Sequence, residues 1–341
     1  MEKVFKKRHY LELDYLKGIG IILVILGHSF SFTGFDLIKE EKYFIYYYIF
    51  NFIYSFHMPL FFIVAGFLSN KEYKIKSFYI SKIKRLLIPY IFINIVDYIP
   101  RHLFSSFVNN SSNSSNSLVR VIFYSGVATW FVYTLFVMFL IFPILDKYIF
   151  KKDKHHTFLW LLLIINILNL EIFKINIFTL NRVVFYLIYF YFGYILKNYY
   201  EEIKKNRYFN NNLLYIILSI FSIFFLYKYS ENNITKVIYP FIGFILCLKF
   251  SLLLRRCKNV KFLEFCGKNS LTFYLLEPFF AAIYRVGLVK IIDLKYHYAI
   301  VILFFTLKLI SICISIIVIN KIKILSFLFG NKITINKKEG E

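Results

Sequence analysis

The sequence predicts an all-α fold, a polytopic membrane bundle of about ten transmembrane helices, and two observations carry that prediction. Of the 341 residues, 59% are hydrophobic and only 18% are charged, a balance that excludes an ordinary soluble globular domain. Long apolar runs also recur along the whole chain. Since one crossing takes about 20 apolar residues, we expect a single membrane domain, residues 1–341, with its core at 13–319 and basic tails at 1–12 and 320–341.

Ten apolar runs define the predicted helices in chain order. The first begins at Leu13, and because no small-residue cleavage site accompanies it, it is predicted to be a retained helix and not a signal peptide. The run at 86–107 is interrupted by charged residues and a proline, and the run at 157–172 is short for a hydrocarbon core about 30 Å thick. The ten runs lie at about 13–32, 43–68, 86–107, 121–145, 157–172, 183–199, 213–229, 234–254, 269–288 and 298–319.

Positive charge alternates between successive loops. Of the 42 Lys and Arg residues, 29 fall in the two tails and in or next to every second loop, whereas 10 fall in or next to the loops between them. Lys and Arg collect in the short cytoplasmic loops of inner-membrane proteins, so this pattern predicts a multi-pass protein of the bacterial inner membrane with both termini in the cytoplasm. That topology accounts for most of the net charge of +23, and no nucleic-acid partner is expected.

The cysteines indicate neither a disulfide framework nor a metal site. They show no paired extracellular spacing and no CxxC motif, which are the patterns that such sites require. We therefore expect no metal and treat the thiols as inert. The four are Cys247, Cys257, Cys266 and Cys313.

Ionisable residues within the spans mark the candidate functional site. Each costs of order 3 kcal/mol on insertion scales, so it tends to face a polar cavity. The first span carries Lys17 at its cytoplasmic end and His28 eleven residues later, about 16 Å along a helix. Eleven residues is close to three turns, so both lie on one face. His28 is a candidate catalytic base in the outer half of the membrane, and the alternative is that it only hydrogen-bonds a neighbouring helix.

The second span contains a histidine beside a proline, in FHMPLFFIVAGF. Pro59 removes a backbone donor and can leave a carbonyl free near His57, which predicts a polar pocket in the middle of the membrane. His57 is either a catalytic residue or, in the plainer interpretation, a histidine whose hydrogen bond is made by the backbone at a proline kink.

Basic residues cluster where the third span begins, in KIKRLLIPY. Lys82, Lys84 and Arg85 together can bind the phosphates of a nucleotide-like donor, because Arg offers a fork matched to phosphate oxygens and Lys a point charge. Positive-inside topology is the competing explanation for the lysines. Arg85 lies closest to the apolar boundary and is the best ligand candidate.

The ninth span, within GKNSLTFYLLEPFF, carries a carboxylate among apolar residues. Glu277 must be paired or protonated there. It can serve as a general base or orient a histidine as the third member of a relay, or it can be a structural partner of Lys308 or Arg101. In ATWFVYTLF, Trp130 can line an acceptor pocket, although Trp is also common at membrane boundaries.

Five segments together resemble the membrane acyltransferase 3 family, and in particular its fucose 4-O-acetylase-like branch of surface-polysaccharide O-acetyltransferases. The resemblance runs from about Leu13 to Ile319, and the first two segments are the most specific. In order, the segments are LDYLKGIGIILVILGHS, FHMPLFFIVAGF, KIKRLLIPY, TWFVYTLF and GKNSLTFYLLEPFF.

The resemblance implies an enzyme that moves an acyl group, usually acetyl from acetyl-CoA, to a hydroxyl of a cell-surface glycan or its lipid-linked precursor. His28 matches the family's essential histidine, and His57 matches the histidine of its second-helix motif. Lys17 and Arg85 match its basic positions, although relatives often carry Arg at the former, whose bidentate phosphate geometry Lys lacks. Glu277 stands where many relatives have a histidine.

The expected scheme places the CoA phosphates near Lys17, Lys82 and Arg85, with the thioester reaching His28. That histidine then acts as general base on the sugar hydroxyl or forms an acyl-histidine. Tyr274, His57 or a backbone amide freed by the proline is expected to polarise the thioester.

A different class of function also fits the spans. Intramembrane Asp, Glu, His and Arg suit a polar translocation path, as in a polysaccharide exporter or flippase component of a glycan assembly system. Against this alternative, the ten runs show no obvious inverted repeat. Turnover of acyl-CoA by the purified protein distinguishes the two functions.

Overall fold

The computed structural model describes a protein built from α-helices. Within the described residues, the secondary structure consists of helices and one π-helical turn, and no β-strand is present. This confirms the predicted all-α membrane bundle. The described residues are 9–30, 44–69, 74–103, 129–149, 155–171, 179–229, 233–256, 260–288 and 297–331.

All ten predicted apolar runs coincide with helices. Residues 104–107 of the third run, residues 121–128 of the fourth and a few terminal residues of other runs lie outside the described residues. The helices are α1 Leu11–Phe30, α2 Phe44–Phe67, α3 Ile75–Lys82, α4 Ile88–Leu103, α5 Trp130–Tyr148, α6 His155–Glu171, α7 Leu180–Lys205, α8 Arg207–Asn210, α9 Asn212–Tyr229, α10 Asn233–Arg256, α11 Lys261–Lys268, α12 Ser270–Leu288, α13 His297–Lys321 and α14 Lys323–Leu328.

Five of these helices are long and apolar enough to cross a membrane. The qualifying stretches belong to α1, α2, α5, α10 and α13, and shorter apolar stretches occur in α6, α9 and α12. The helix α7 has 26 residues but is rich in tyrosine and ends in a charged turn, which lowers its hydropathy. Length and composition thus support crossing most strongly for α1 itself and for four other helices, of which α2, α10 and α13 contact α1.

The helix α1 lies at the centre of the bundle and contacts α2, α10, α11, α12 and α13. Its N-terminal half packs closely on the short helix α11. A Cβ at Gly18 would overlap the carbonyl of Leu263, and a Cβ at Gly267 would overlap the carbonyl of Asp14. These two glycines allow the backbones to touch, which is how small residues stabilise helix pairs in membranes through van der Waals contact.

The helices α2 and α7 form the most extensive pair in the bundle. Gly66 lies against the carbonyl of Phe190, and Gly193 lies against the carbonyl of Ile63, with no room for a Cβ at either glycine. Buried aromatic side chains fill the core on both sides of this contact. The α2–α7 pair therefore holds the second span against α7, and the separate contact of α2 with α1 positions its histidine relative to α1.

Candidate active site

A histidine and a glutamate that are far apart in sequence meet inside the bundle. The Nδ1 atom of His28, in the last turn of α1, donates to the Oε2 atom of Glu277 on α12 at 2.7 Å. The glutamate side chain is 2% exposed, whereas the histidine side chain is 35% exposed. The imidazole is thus open on one side and held by a buried carboxylate on the other.

The second oxygen of the carboxylate binds a lysine from the last long helix. The Nζ atom of Lys308 on α13 lies 2.7 Å from the Oε1 atom of Glu277 and donates to the carbonyl of Ile25 at 3.2 Å. The lysine side chain is fully buried, and its ammonium is 5.1 Å from the ring centroid of Phe304. Burying either charge alone would be strongly unfavourable, so each stabilises the other.

The three side chains form a continuous chain of hydrogen bonds across α1, α12 and α13. Because Nδ1 of His28 donates to the carboxylate, Nε2 is the ring nitrogen that can accept a proton. A carboxylate in this position fixes the tautomer and orientation of the imidazole and stabilises the imidazolium. The geometry matches the relay interpretation of Glu277, and the alternative partner Lys308 is present as well.

The second-span histidine lies in the same region but is bound differently. His57 is buried, and its Nδ1 atom donates to the carbonyl of Ile53 at 2.8 Å. Pro59 has no N–H, and it therefore leaves the carbonyl of Ser55 without its helical donor. The carbonyl that His57 binds is a different one. The ring of Tyr54 lies 4.8 Å from the His57 ring and 6.2 Å from the His28 ring, centroid to centroid.

The bond from His57 to the backbone is the one expected from the plainer interpretation of this residue. Since Nδ1 is occupied, a direct role in proton transfer or thioester polarisation would have to use Nε2. Tyr54, which the sequence argument did not single out, separates the two imidazoles. It stands three residues before His57, on the same helix face, and that spacing was the available signal.

A group of charges surrounds the N-terminal end of α1. Asp14 binds Lys17 at 2.8 Å through Oδ1 and His9 at 2.7 Å through Oδ2. Lys17 also interacts electrostatically with Arg85 and Lys268. A hydrogen bond to Glu264, together with the charge of Asp14, raises the pKa of Lys268. We call this region the basic mouth, and its charged residues are Asp14, Lys17, Arg85 and Lys268.

A π-helical turn presents Arg85 at this mouth. The turn spans Ile83–Leu87, and Pro89 cannot donate to the Arg85 carbonyl as a regular helical residue would. Gly330 passes over that carbonyl with φ +72°, and a Cβ there would come within 2.7 Å of the oxygen. The Arg85 side chain is exposed, as a guanidinium must be to bind a soluble ligand.

Lys82, the remaining predicted phosphate ligand, contacts a different neighbour. Its ammonium lies 3.4 Å from the ring centroid of Phe139 on α5 and 5.1 Å from that of Phe78. The structure therefore brings together Lys17 and Arg85, and it places Lys82 against the aromatic surface between α3 and α5. Its role as a phosphate ligand stays a prediction.

An aromatic cluster with one arginine begins at the first residue of α5. The guanidinium of Arg182 lies 5.0 Å from the ring centroid of Trp130, and that ring stacks on Tyr186 at 5.4 Å. The hydroxyl of Tyr274 accepts a hydrogen bond from the backbone N–H of Phe131 at 3.4 Å. Tyr274 is one turn before Glu277 on α12, so the cluster is connected to the helix that carries the carboxylate.

The sequence argument named Lys308 only as one of two alternative partners for Glu277. The stronger signal was available, because a lysine in the middle of the most hydropathic span needs a buried counter-charge. Asp14, the carboxylate of the basic mouth, was likewise not chosen as a site residue. Among the residues that the structure describes, no group of three His, Cys, Asp or Glu side chains is placed to hold a metal ion.

Comparison with known proteins adds one finding. A family model described as an acyltransferase domain, Acyl_transf_3, matches residues 10–320. No curated protein and no solved structure matches the chain significantly. The matched range includes His28, Glu277 and Lys308 as well as the basic residues at the start of α1 and in the π-helical turn.

Proposed function

This chain belongs to the acyltransferase 3 family, and from that premise we propose that it is a membrane O-acyltransferase. The proposed reaction moves an acyl group, in the first instance acetyl, from acyl-CoA to a hydroxyl of a cell-surface glycan or its lipid-linked precursor. The observation that carries this proposal is the 2.7 Å bond between His28 and a fully enclosed glutamate. An oriented imidazole with one accessible side is the base that hydroxyl activation requires.

The proposed reaction is a direct transfer. Nε2 of His28 accepts the proton of the acceptor hydroxyl while its oxygen attacks the thioester carbonyl. The C–S bond then breaks, and the imidazolium returns the proton to the departing thiolate, which leaves as CoA. Glu277 stabilises the imidazolium between these steps. Proton transfer by a positioned base such as His28 contributes about 10²–10⁴ in rate.

Lys308 is proposed as a positioning residue. It binds the glutamate oxygen that faces away from the histidine, and it is anchored by the carbonyl of Ile25 on the helix that carries His28. This double contact fixes α12 and α13 relative to α1. The lysine thereby sets the direction of the Glu277–His28 bond without contacting the substrates.

The basic mouth is the proposed site for the phosphates of CoA. The charge of Arg85 acts on Lys17 there as like-charge repulsion, which a bound phosphate would relieve. Lys17 precedes His28 by about 16 Å along the helix axis. An extended pantetheine arm of roughly 15–20 Å matches that separation, so a donor held at the mouth can present its thioester to the imidazole. Asp14 limits the net positive charge, which favours release of CoA after transfer.

The cluster around Trp130 is the proposed contact for the acceptor sugar. Aromatic faces pack on the apolar face of a pyranose, and a guanidinium donates hydrogen bonds to its hydroxyls. Trp130, Arg182 and Tyr186 supply both, and all three are partly exposed. The contact of Phe131 with Tyr274 connects this cluster to the helix of the catalytic glutamate.

The test combines two measurements on the wild-type protein. The purified protein in lipid nanodiscs is incubated with labelled acetyl-CoA, and release of free CoA is measured with and without glycan extract from cells that lack the protein. Mass analysis of the surface glycan is compared between cells with and without it. We expect glycan-dependent CoA release and an acetyl mass difference. Glycan export without acetyl-CoA turnover would overturn the proposal and favour the exporter.

A further inference from the structure

A cavity of about 280 Å³ lies between α7, α8 and α10, apart from the candidate active site. Of the eight described residues that line it, none is acidic and four are cations: Lys204, Lys249, Arg255 and Arg256. Apolar side chains and one amide complete the wall. The cavity is large enough for a phosphate group with part of the molecule that carries it.

Two acidic residues of α1 show that this cavity lies on the side of the helix away from the basic mouth. Glu12 and Asp14 are two residues apart and therefore point about 200° from one another around the helix. Glu12 binds Arg255 at 2.8 Å and lies 3.6 Å from Lys204, whereas Asp14 binds Lys17. The cavity is thus a second basic site at the same end of the bundle.

Two of the four cations have no carboxylate partner within the part of the chain that the structure describes. Arg255 and Lys204 are held by Glu12, and Lys204 also binds Glu201 at 3.1 Å. Among the described residues, no Asp or Glu oxygen lies within 4.0 Å of Lys249 or Arg256. The cavity therefore has an excess of two positive charges.

The burial of Lys249 distinguishes this site from an ordinary basic loop. Positive-inside topology requires cations near the membrane surface, but it does not require them to be buried. Lys249 is 5% exposed, and its Nζ atom donates to the carbonyl of Phe209 at 2.9 Å and lies 4.9 Å from the ring centroid of Tyr215. A buried ammonium whose only described polar contact is a carbonyl is stabilised by an anion.

The surface beside the cavity is apolar and exposed. On α9, Ile216, Ile217 and Ile220 are exposed, and Phe250 is exposed next to Lys249 on α10. In a membrane protein such surface faces acyl chains. Basic pockets between helices at this depth suit anionic headgroups.

From these contacts we infer that the cavity binds a phosphate group. The two sources of that chemistry are the headgroup of an anionic phospholipid and a soluble phosphate compound such as a nucleotide. The site is independent of acyl transfer, because none of its residues belongs to the proposed catalytic or donor-binding groups.

The experiment compares a double variant, Lys249→Gln with Arg256→Gln, with a control that loses two exposed cations elsewhere, Lys76→Gln with Lys323→Gln. Native mass spectrometry measures binding of phosphatidylglycerol and of phosphatidylcholine to each purified protein. A parallel titration measures binding of adenosine 3′,5′-bisphosphate. Arg256→Gln alone provides a milder variant should the double variant fail to fold.

We expect the double variant to bind phosphatidylglycerol at least about tenfold more weakly, with phosphatidylcholine binding and the control unchanged, given roughly fivefold per cation. Weaker binding of the bisphosphate instead assigns the soluble source. Unchanged binding of both phosphate compounds in a folded variant overturns the inference. Because acetyl-CoA turnover is measured separately, failure here does not bear on the proposed function.

Discussion

The two ends of α1 differ in how their charged side chains are paired and in how far those side chains are exposed. Near its C-terminal end, Glu277 lies between His28 and Lys308, and all three are held by helices α1, α12 and α13. At its N-terminal end, Asp14 binds Lys17, while Arg85 stands exposed in the π-helical turn. We call the first region the inner triad, and it consists of His28, Glu277 and Lys308. The second region is the basic mouth.

The difference follows from whether water can solvate a charge that has lost its partner. At the basic mouth, the exposed guanidinium of Arg85 can be solvated without a partner, and surface ion pairs are worth only about 0–1 kcal/mol. A charge in the inner triad cannot, and breaking a buried pair costs about 3–5 kcal/mol. Substitutions of Glu277 or Lys308 should therefore affect both stability and chemistry, whereas substitution of Arg85 should affect ligand affinity.

The largest effect is expected from breaking the Glu277–Lys308 pair. Glu277→Gln or Lys308→Met alone leaves one buried charge and should lower the free energy of unfolding by about 3–5 kcal/mol. The double variant removes both charges and should recover most of that stability. Thermal unfolding of the purified variants measures this, with Lys323→Met as an exposed control.

The same set of two single variants and one double variant separates the effect on stability from the effect on catalysis. The double variant should remain at least a hundredfold below wild type in kcat/KM, since no carboxylate orients His28. A double variant that is stable and fully active would show that the triad is only structural. One that is no more stable than either single variant would contradict the pairing argument.

An intermediate effect is expected at the basic mouth. Arg85→Ala should raise the KM for acetyl-CoA roughly tenfold and leave kcat nearly unchanged, because a charge-assisted hydrogen bond to phosphate contributes about 1.5–3 kcal/mol. The shift should shrink as ionic strength rises. Lys76→Ala removes an exposed cation at the start of α3 and serves as the control. An equal KM shift there would mean general electrostatic attraction and no specific site.

The smallest effect is expected from Lys82→Ala. Its ammonium packs on Phe139, so its removal should lower the melting temperature slightly and change the KM for acetyl-CoA less than twofold, in line with a cation–π contact of about 0.5–1 kcal/mol. Kinetics at matched salt beside Arg85→Ala provide the comparison. A KM shift as large as that of the arginine variant would restore Lys82 to the donor site.

Much of the fold could be predicted because membrane helices are long apolar runs. Each predicted run between Leu13 and Ile319 coincides with a helix within the described residues. The positions at which α2 and α7 touch depend on Gly66 and Gly193, which no hydropathy pattern pairs. The contact of His28 with Glu277 joins residues 249 positions apart, and the sequence showed only that each needed a partner.

The basic mouth illustrates the other limit. Lys82 and Arg85 are three residues apart, a spacing that places side chains on one face of a regular helix. The π-helical turn at Ile83–Leu87 begins directly after Lys82, the last residue of α3, and changes this relation. The proline motif was visible in the sequence, but the turn that forms ahead of it and the glycine that covers it come from distant packing.

The most direct test of the central claim is the rate of acetyl transfer by His28→Ala. The His28 side chain is partly exposed, so the variant should keep its melting temperature, and His156→Ala, an exposed histidine on α6, is the matched control. We predict a loss of at least about a hundredfold in kcat, partly restored by added imidazole, and an unchanged control. A folded His28→Ala protein that transfers acetyl at the wild-type rate would contradict the account.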